Sequence, residues 1–209
     1  MSRSVTVVDY GLGNLHSVIK ALRHEGGDVR VTSDPRDIPR ADRLVLPGVG
    51  AFADGFRGLV SRGFVEPLKE VFESGRPCLG ICLGMELLLS ESEEFGLHRG
   101  LGVFPGRVVA IRAAPGFKVP HIGWNRITPP CGRSWEGTIL EGIDAGAMAY
   151  FVHSFTAVPE HEGDRLADAV YGGVRLSAVV HRNNVVGCQF HPEKSGVVGL
   201  AMLHRFLVM

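Results

Sequence analysis

The chain has 209 residues, of which 45% are hydrophobic and 21% are charged, values typical of a globular protein that buries a sizeable core. Its 22 Lys and Arg residues balance its 22 Asp and Glu residues, and this zero net charge, without any basic cluster, argues against a nucleic-acid-binding protein. No stretch approaches the roughly 20 apolar residues of a membrane span. No cleavable leader is visible and the four cysteines form no disulfide framework, so we expect a protein of the reducing cytoplasm.

The first ninety residues alternate between strand and helix patterns. Apolar runs predict four strands, over SVTVVDY (4–10), DVRVT (28–32), DRLVLPG (42–48) and RPCLGI (76–81). Helical spacing predicts a helix that begins near Leu15 and that Gly26 and Gly27 stop, helical segments over 52–74 interrupted at Gly63, and a helix over GMELLLSESEE (84–94). Apolar strands separated by helices indicate a parallel sheet covered on both faces.

From about residue 101 the pattern changes to short strands joined by Gly, Pro and Asn turns, which favours antiparallel pairing. The predicted strands lie in GVFPGRVVAIR, GWNRIT, AMAYFVHSF, LADAVY, RLSAVVHR and NVVGCQF, and a closing helix spans GVVGLAMLHRFLVM. We therefore predict an α/β fold: an open, mostly parallel central sheet with helices on both faces, plus an antiparallel strand region in the C-terminal half. We expect residues 1–209 to form one domain, with its ligand site at the carboxyl ends of the parallel strands.

Cys82 stands where a nucleophile is expected. It lies between Gly80 and Gly84 in GICLG, after an apolar strand and before a predicted helix, which is the arrangement of a nucleophile elbow. The glycines let the chain turn sharply, and the helix N terminus is expected to lower the pKa of the thiol. The N–H of Leu83 would then point at a developing oxyanion. A buried cysteine in a Gly-rich turn is the alternative interpretation.

His191, in the segment CQFHPEKS, is the candidate base for this thiol. Pro192 favours an extended backbone at His191, and alternate residues of an extended chain point to the same side. Glu193 is therefore expected to hold the tautomer and orientation of the imidazole. The other eight histidines lack a carboxylate placed in this way, and we expect most of them at the surface.

The segment LPGVGAF (46–52) follows the third predicted strand. Gly48 and Gly50 flank Val49, and two glycines allow the peptide between them to turn or to approach a ligand closely. Beside the elbow, this loop is expected to supply a second N–H to the oxyanion. An ordinary strand-to-helix turn is the alternative.

A zinc site is the competing use of these residues, because Cys78, Cys82, Cys188 and His191 are all possible ligands. Cys78 and Cys82 are four residues apart along a predicted strand, roughly 13 Å at about 3.3 Å per residue. Cys188 and His191 face opposite sides of another strand, and neither pair has the turn of a zinc knuckle. We expect neither a metal nor a cofactor.

Together these motifs resemble those of the class I, or triad, glutamine amidotransferases: Pro-Gly-x-Gly, Gly-x-Cys-x-Gly and a late His-Pro-Glu. Within them the chain is most similar to the glutaminase subunits of imidazole glycerol phosphate synthase, from histidine biosynthesis. The likeness runs from about residue 5 to the C terminus. The motifs DYGLGN and HIGWN limit the resemblance to this group. The order along the chain also matches that group for LPGVGAF, GICLGMELL, YFVHSF and QFHPEKSG.

The resemblance implies a reaction and a partner. Cys82 attacks the side-chain amide of glutamine, His191 gives a proton to the departing ammonia, and a water activated by His191 hydrolyses the thioester to glutamate. The ammonia passes to a cyclase subunit, a (β/α)8 barrel that forms a heterodimer with the glutaminase. There it reacts with a phosphoribulosyl-formimino carboxamide nucleotide to give imidazole glycerol phosphate and an aminoimidazole carboxamide ribotide.

The resemblance also implies a glutamine pocket. Ser154 and Phe155 would hold the α-groups of glutamine through their backbone, and Glu86 and Glu94 would line the same pocket. The chain departs from the family at two of these positions, where the family commonly has Gln in place of Glu86 and Tyr in place of Phe155. We expect Glu86 to accept a hydrogen bond from the glutamine ammonium, so that the pocket persists with a changed polar partner.

The segment HIGWN is expected to face the cyclase, with His121, Trp124 and Asn125 at the interface. Trp124 lies on a stretch that is too polar and too broken for a core strand, and a partner that buries an aromatic anchor would explain its presence there. It would cap the mouth through which ammonia leaves. Alternatively, Trp124 fills a gap over the antiparallel region.

Three other functions stay open at this point. A triad glutaminase of pyridoxal phosphate or anthranilate synthesis would differ in the synthase that receives its ammonia. A non-catalytic binding protein on the same fold would have an unreactive Cys82. A cysteine peptidase or hydrolase of similar architecture would not release glutamate from free glutamine.

Overall fold

The computed structural model describes residues 3–209, and their strands form three sheets. In chain order the strands are β1 (Ser4–Val8), β2 (Asp28–Thr32), β3 (Leu44–Gly48), β4 (Cys78–Cys82), β5 (Leu89–Ser92), β6 (His98–Arg99), β7 (Phe104–Ala110), β8 (His121–Arg126), β9 (Met148–His153), β10 (Phe155–Pro159), β11 (Arg165–Tyr171), β12 (Val174–Arg182) and β13 (Val185–Cys188). The α-helices are α1 (Leu15–His24), α2 (Phe52–Ser61), α3 (Val65–Glu73), α4 (Leu83–Leu87) and α5 (Gly196–Val208). Short 3₁₀ helices span Pro35–Arg40, Glu162–Asp164 and Pro192–Lys194.

The central sheet has seven strands in the order β11-β12-β13-β4-β3-β1-β2. The five strands from β13 to β2 are parallel, and β12 and β11 extend the sheet in antiparallel fashion. The predicted open, mostly parallel sheet is confirmed. The predicted antiparallel region is present as well, and two of its strands continue the central sheet.

Two hydrophobic layers cover the faces of this sheet. On β1, Val5 and Val7 point into a layer that includes α1 and α5, whereas Val8 joins a layer built from α2, α3 and α4. The side chains of successive strand residues alternate between faces, so an apolar run is required where both faces are covered. The run VTVV meets that requirement because every one of its side chains is buried.

Two smaller sheets complete the fold. A four-stranded sheet in the order β10-β7-β5-β6 lies on the α2 side, and β8 pairs with β9 as an antiparallel ribbon. A cis peptide bond joins Val119 to Pro120 directly before β8. Ser154 joins β9 of the ribbon to β10 of the four-stranded sheet. This junction lies near Cys82, at the carboxyl end of β4.

The predicted helix over 84–94 is wrong in its second half. Helix α4 ends at Leu87, and β5 follows from Leu89 to Ser92. An apolar run such as LLL fits a buried helix or a buried strand equally well, and here tertiary pairing decides. Leu89 pairs with Phe104 of β7, and the next residues pair with β6 on the other side. None of the helices described for residues 3–209 is both long enough and apolar enough to cross a bilayer.

Candidate active site

Cys82 is the last residue of β4 and has a left-handed backbone, with φ of 54° and ψ of −112°. This conformation is strained for a residue that carries a side chain. Close packing holds it: a Cβ on Gly84 would overlap the carbonyl oxygen of Leu46, and a Cβ on Gly80 would lie 2.8 Å from the carbonyl oxygen of Gly84. The sharp turn expected at Cys82 is present, and glycine is required on both sides of it.

The thiol of Cys82 is almost completely buried. Burial raises its pKa well above the ordinary value, and the nearby Glu86 and Glu193 raise it further, whereas the N–H of Leu83 and the ammonium of Lys194 act in the opposite direction. The prediction of a lowered pKa is therefore wrong in direction. The helix that starts at this point has only five residues, and its effect does not offset the loss of hydration. Cys82 rests as a neutral thiol and needs a base.

His191 and Glu193 form a buried pair beside this thiol. The imidazole Nδ1 lies 2.8 Å from Oε1 of Glu193, and the two side chains are 3% and 1% exposed. With its Nδ1–H donated to the carboxylate, the imidazole presents Nε2 as the proton acceptor. Tyr150 accepts the backbone N–H of His191, and Ser195 donates its hydroxyl to the backbone carbonyl of His191, so the segment is fixed on both sides.

The local backbone of this pair differs from the prediction. His191 is extended, with φ of −95° and ψ of 100°, but Pro192–Lys194 form a 3₁₀ helix instead of continuing the strand. Glu193 therefore reaches the imidazole from the first turn of that helix. The expected contact forms, although the expected alternation of an extended chain is not its cause.

A cleft of about 420 Å³ opens over Cys82. It brings together most of the predicted site residues, which are Val49, Gly50, Cys82, Leu83, Glu86, Glu94, Ser154, Phe155 and His191. Gly48 lies under the cleft, opposite Cys82 in the register of β3 and β4. A larger hollow of about 640 Å³, between Lys69 and Arg182, contains no nucleophile beside a base.

Four further residues line the cleft that sequence reasoning did not place there: Phe95, Val152, His153 and Lys194. His153 was expected among the surface histidines, yet it is buried. The alternation of MAYFVH could have predicted this burial. Ala149, Phe151 and His153 lie on one side of β9, and all three are buried.

The loop after β3 has room to rearrange. Val49 is 39% exposed. Apart from Gly50 and its two chain neighbours, no described residue has a heavy atom within 4 Å of a Cβ built on Gly50, whose φ is +113°. Phe52, the first residue of α2, donates its N–H to Oε2 of Glu94 at 2.5 Å, so the far end of the loop is anchored. The loop is thus fixed at Gly48 and Phe52 and loosely packed between them.

Glu86 is a buried acid that faces the cleft. Its Oε1 accepts a hydrogen bond of 2.9 Å from Nε2 of Gln189. Burial raises the pKa of Glu86 to about 8, and the charge of Glu94 contributes in the same direction, whereas the bond from Gln189 lowers it. At pH 7 the carboxyl is therefore mainly neutral, which makes it similar in charge to the glutamine that the family commonly has at this position.

His121 and His153 form a hydrogen-bonded chain between the ribbon and the cleft. His121 Nδ1 lies 2.9 Å from His153 Nε2, and His153 Nδ1 donates to the carbonyl of Phe155 at 2.7 Å. Burial lowers the pKa of His153 to about 4 and also lowers the pKa of His121. Both rings are therefore neutral near pH 7, and the carbonyl fixes the tautomer of His153.

Trp124, His121 and Asn125 do not share one face of β8. His121 is 2% exposed, and Asn125 turns inward to donate to the carbonyl of Val170 at 3.0 Å. Trp124 points outward and is 53% exposed, with its ring against Tyr150. Alternation along β8 places both on the side opposite Trp124. The buried His121 offers no surface to a partner, so its predicted interface role is wrong. The interface role of the partly exposed Asn125 stays a prediction. The stretch is also a paired strand and not a loop.

Cys78 and Cys188 do not join Cys82 and His191 in one ligand set. Within residues 3–209, no group of three or more His, Cys, Asp or Glu residues is placed to hold a metal ion. Cys78 begins β4, at the strand end opposite Cys82.

Comparisons with known proteins give the relatives of this chain and its fold. The family model described as glutamine amidotransferase class-I matches residues 6–209. The imidazole glycerol phosphate synthase subunit HisH 1 of Legionella pneumophila (strain Lens) is 50% identical over 209 residues, which cover 98% of each chain. The HisH subunit of Syntrophotalea carbinolica is 49% identical, over 97% of this chain and 98% of its own. A solved glutamine amidotransferase shares the fold, with a TM-score of 0.72 and 20% identity over 97% and 96% of the two chains.

The buried carboxyl of Glu86 predicts a pH-dependent stability. Because its folded pKa of about 8 exceeds its ordinary value of 4.5, the stability from its neutral form is present below pH 4.5 and is lost as pH rises towards 8. Glu86→Gln removes this titration. The variant should therefore gain stability relative to the wild type by a few kcal/mol between pH 5 and 8, since each pKa unit corresponds to about 1.4 kcal/mol.

Urea unfolding at several pH values measures this difference. Glu70→Gln, at an exposed position of α3, is the control and should track the wild type at every pH. A constant stability difference between Glu86→Gln and the wild type across this range would show that Glu86 is already ionised at pH 5.

Proposed function

We propose that this chain, which belongs to the class I glutamine amidotransferase family and within it to the HisH subunits of imidazole glycerol phosphate synthase, hydrolyses glutamine with a Cys82–His191–Glu193 triad and passes the ammonia to a cyclase subunit. One observation carries the proposal. A cysteine on a strained elbow lines the same cleft as a buried histidine that is bonded to a carboxylate.

The first half of the reaction forms a thioester. His191 takes the proton of the neutral Cys82 thiol as the sulfur attacks the side-chain amide carbon of glutamine. The N–H of Leu83, and of Val49 when the loop is suitably turned, stabilise the oxyanion. The intermediate collapses when the imidazolium gives its proton to the departing nitrogen, which leaves as ammonia. Glu193 stabilises the imidazolium throughout.

The second half of the reaction releases glutamate. His191 takes a proton from a water molecule as that water attacks the thioester carbon. The sulfur leaves and recovers its proton from the imidazolium. Because burial disfavours a free thiolate at Cys82, the sulfur would pass its proton to His191 as it attacks and recover it as it leaves.

The cleft offers residues that would recognise the α-groups of glutamine. Ser154 joins β9 to β10, Phe155 begins β10, and both line the cleft, where their backbone would hold these groups. Glu94 lines the cleft as well and suits the α-ammonium of glutamine, as does Glu86 as a neutral acceptor. Phe155 has no hydroxyl where the family commonly has tyrosine. Its ring instead packs edge-on against the ring of Phe95, with the two ring centroids 6.4 Å apart.

The outward face of the β8–β9 ribbon suits the cyclase partner. Ile122, Trp124 and Met148 are 60%, 53% and 39% exposed on this face. An exposed apolar row with an aromatic anchor is typical of a protein interface. Docking of a (β/α)8 barrel here would place the ammonia exit under cover, so that ammonia reaches the nucleotide and is not lost. The coupled lyase reaction on the cyclase and a cytoplasmic location belong to the same proposal.

The triad is tested by glutamate release in the complex with the cyclase. Cys82→Ser and His191→Asn should each lower the rate at least about 10³-fold, and the double variant should be no worse than either, because members of one catalytic unit fail together. Glu193→Gln should cost less, since the imidazole remains. Synthesis from added ammonium by the cyclase is the control and should persist in every variant. Multiplied losses in the double variant would contradict a shared unit.

The loosely packed loop predicts that the isolated chain is nearly inactive. Turning the Val49 N–H away from the oxyanion removes one donor, which costs on the order of 10² to 10³ in rate. Glutamate release should therefore be slow for the chain alone and fastest with the cyclase and its nucleotide acceptor. Measuring the chain alone, with the cyclase, and with both cyclase and acceptor checks this. Equal rates in the three cases would end the gating hypothesis and leave the triad standing.

Trp124→Ala should weaken assembly or release ammonia to solvent, because the partner buries this side chain. Titration calorimetry with the cyclase and the ratio of cyclised product to glutamate measure the two effects. Val60→Ala, at an exposed apolar position on α2, is the matched control and should change neither. Normal affinity and normal coupling in Trp124→Ala would mean that Trp124 only packs against Tyr150.

A further inference from the structure

The hydroxyl of Tyr10 is buried, and no group within residues 3–209 forms a hydrogen bond with it. Such a group is costly, because the hydroxyl has given up water and has received nothing in exchange. Tyr10 is fully enclosed at the carboxyl end of β1 and does not line the cleft. It cannot touch glutamine in this arrangement, so its position needs another explanation.

Tyr10 lies directly beneath the loop that carries Val49. A Cβ on Gly48 would overlap the Tyr10 hydroxyl, and it would lie 3.1 Å from the backbone nitrogen of Gly84. A Cβ on Gly58 of α2 would lie 3.2 Å from the Tyr10 ring. The ring therefore packs between the end of β3 and α2, which are the two elements that the loop connects.

The base of Tyr10 is held firmly. Asp9 donates its N–H to the carbonyl of Thr32, and its Oδ1 accepts the N–H of Gly11 at 3.0 Å. The hydroxyl is also a donor at any ordinary pH, since burial raises its pKa and the charges of Cys82 and Glu86 add to the effect. A fixed, permanently protonated donor thus stands under a loosely packed peptide.

We propose that Tyr10 is a positioning residue for the oxyanion loop: its hydroxyl donates to the carbonyl of Gly48 when the Gly48–Val49 peptide turns its N–H towards the reacting carbon. The N–H and C=O of a planar trans peptide point in opposite directions. Turning the Val49 N–H into the cleft therefore turns the Gly48 carbonyl towards the floor, where Tyr10 lies. A buried carbonyl requires a donor, and the unpaired hydroxyl supplies one.

This role rests on the proposed glutaminase function, and it gives the turned loop a hydrogen bond from the Tyr10 hydroxyl. In the arrangement that the structure shows, the hydroxyl is unpaired, which penalises that arrangement. In the turned arrangement the hydroxyl and the carbonyl satisfy each other. Tyr10 would thus favour the active form of the loop while remaining out of contact with the substrate.

Tyr10→Phe in the complex with the cyclase and its nucleotide acceptor tests this inference. Loss of one hydrogen bond should lower kcat for glutamate release about 3- to 10-fold, whereas KM for glutamine should stay within about twofold. The urea midpoint of the isolated chain should not fall, because the arrangement that the structure shows loses only an unpaired group. Tyr171→Phe, which removes an exposed hydroxyl bonded to the Lys118 carbonyl, is the matched control and should leave kcat and KM unchanged.

A spectroscopic measurement covers the case in which the variant fails to fold. The chain has three tyrosines, so labelling with 13Cζ-tyrosine gives three signals, and the signals of Tyr150→Phe and Tyr171→Phe identify that of Tyr10 by elimination. In the Cys82→Ala complex, addition of glutamine and nucleotide acceptor should move the Tyr10 signal, since its hydroxyl gains an acceptor. An unmoved Tyr10 signal would overturn the proposal, and so would a wild-type kcat in Tyr10→Phe. A variant with a lower kcat, a raised KM for glutamine and a lower urea midpoint would also overturn it, because that pattern indicates a purely structural role.

Glutamate release by the wild-type complex distinguishes a failure of the proposed function from a failure of the Tyr10 role. A wild-type complex that releases no glutamate would overturn the proposed function and the Tyr10 proposal with it. An active wild-type complex with an unaffected Tyr10→Phe would overturn only the role of Tyr10.

Discussion

The close approach of α4 to β3 is the constraint on which the rest of the site depends. The Cα of Gly84 packs so tightly against the carbonyl of Leu46 that no side chain fits between them. This contact forces Cys82 into its left-handed turn and brings the end of β4 level with Gly48. The nucleophile and the loop that would supply its oxyanion donor are therefore placed by one backbone contact, and neither depends on a flexible side chain.

Burial of ionisable groups is the second theme of the site. Cys82, Glu86 and Glu193 are all buried close to one another, and no cation within residues 3–209 forms a salt bridge with Cys82 or Glu86. Burial of a charged group costs solvation free energy, so the Cys82 thiol and the Glu86 carboxyl stay neutral. During the reaction, positive charge would develop on His191, where Glu193 stabilises it. A site with little charge fits the proposed dependence of the reaction on a partner subunit.

The sequence predicted those features that depend on local chemistry. Glycines around Cys82 and the carboxylate two residues after His191 were sufficient to predict the turn and the contact. The stretch Leu89–Ser92 was misassigned because the apolar run LLL leading into it suits a helix as well as a strand, and only pairing with β7 decides. The inward positions of His121 and Asn125 were missed for a different reason. Their side depends on the phase of β8, which is fixed by its pairing with β9 and by contacts with β11 that the sequence does not reveal.

The ribbon of β8 and β9 carries two independent rows of side chains on one backbone. The outer row includes Ile122, Trp124 and Met148, and the inner row holds the bonded histidines and Asn125. A mutation in one row leaves the chemistry of the other in place, so the two rows are free to evolve at different speeds. Under the proposed docking, changes confined to these outward positions would adapt the ribbon to a different partner surface.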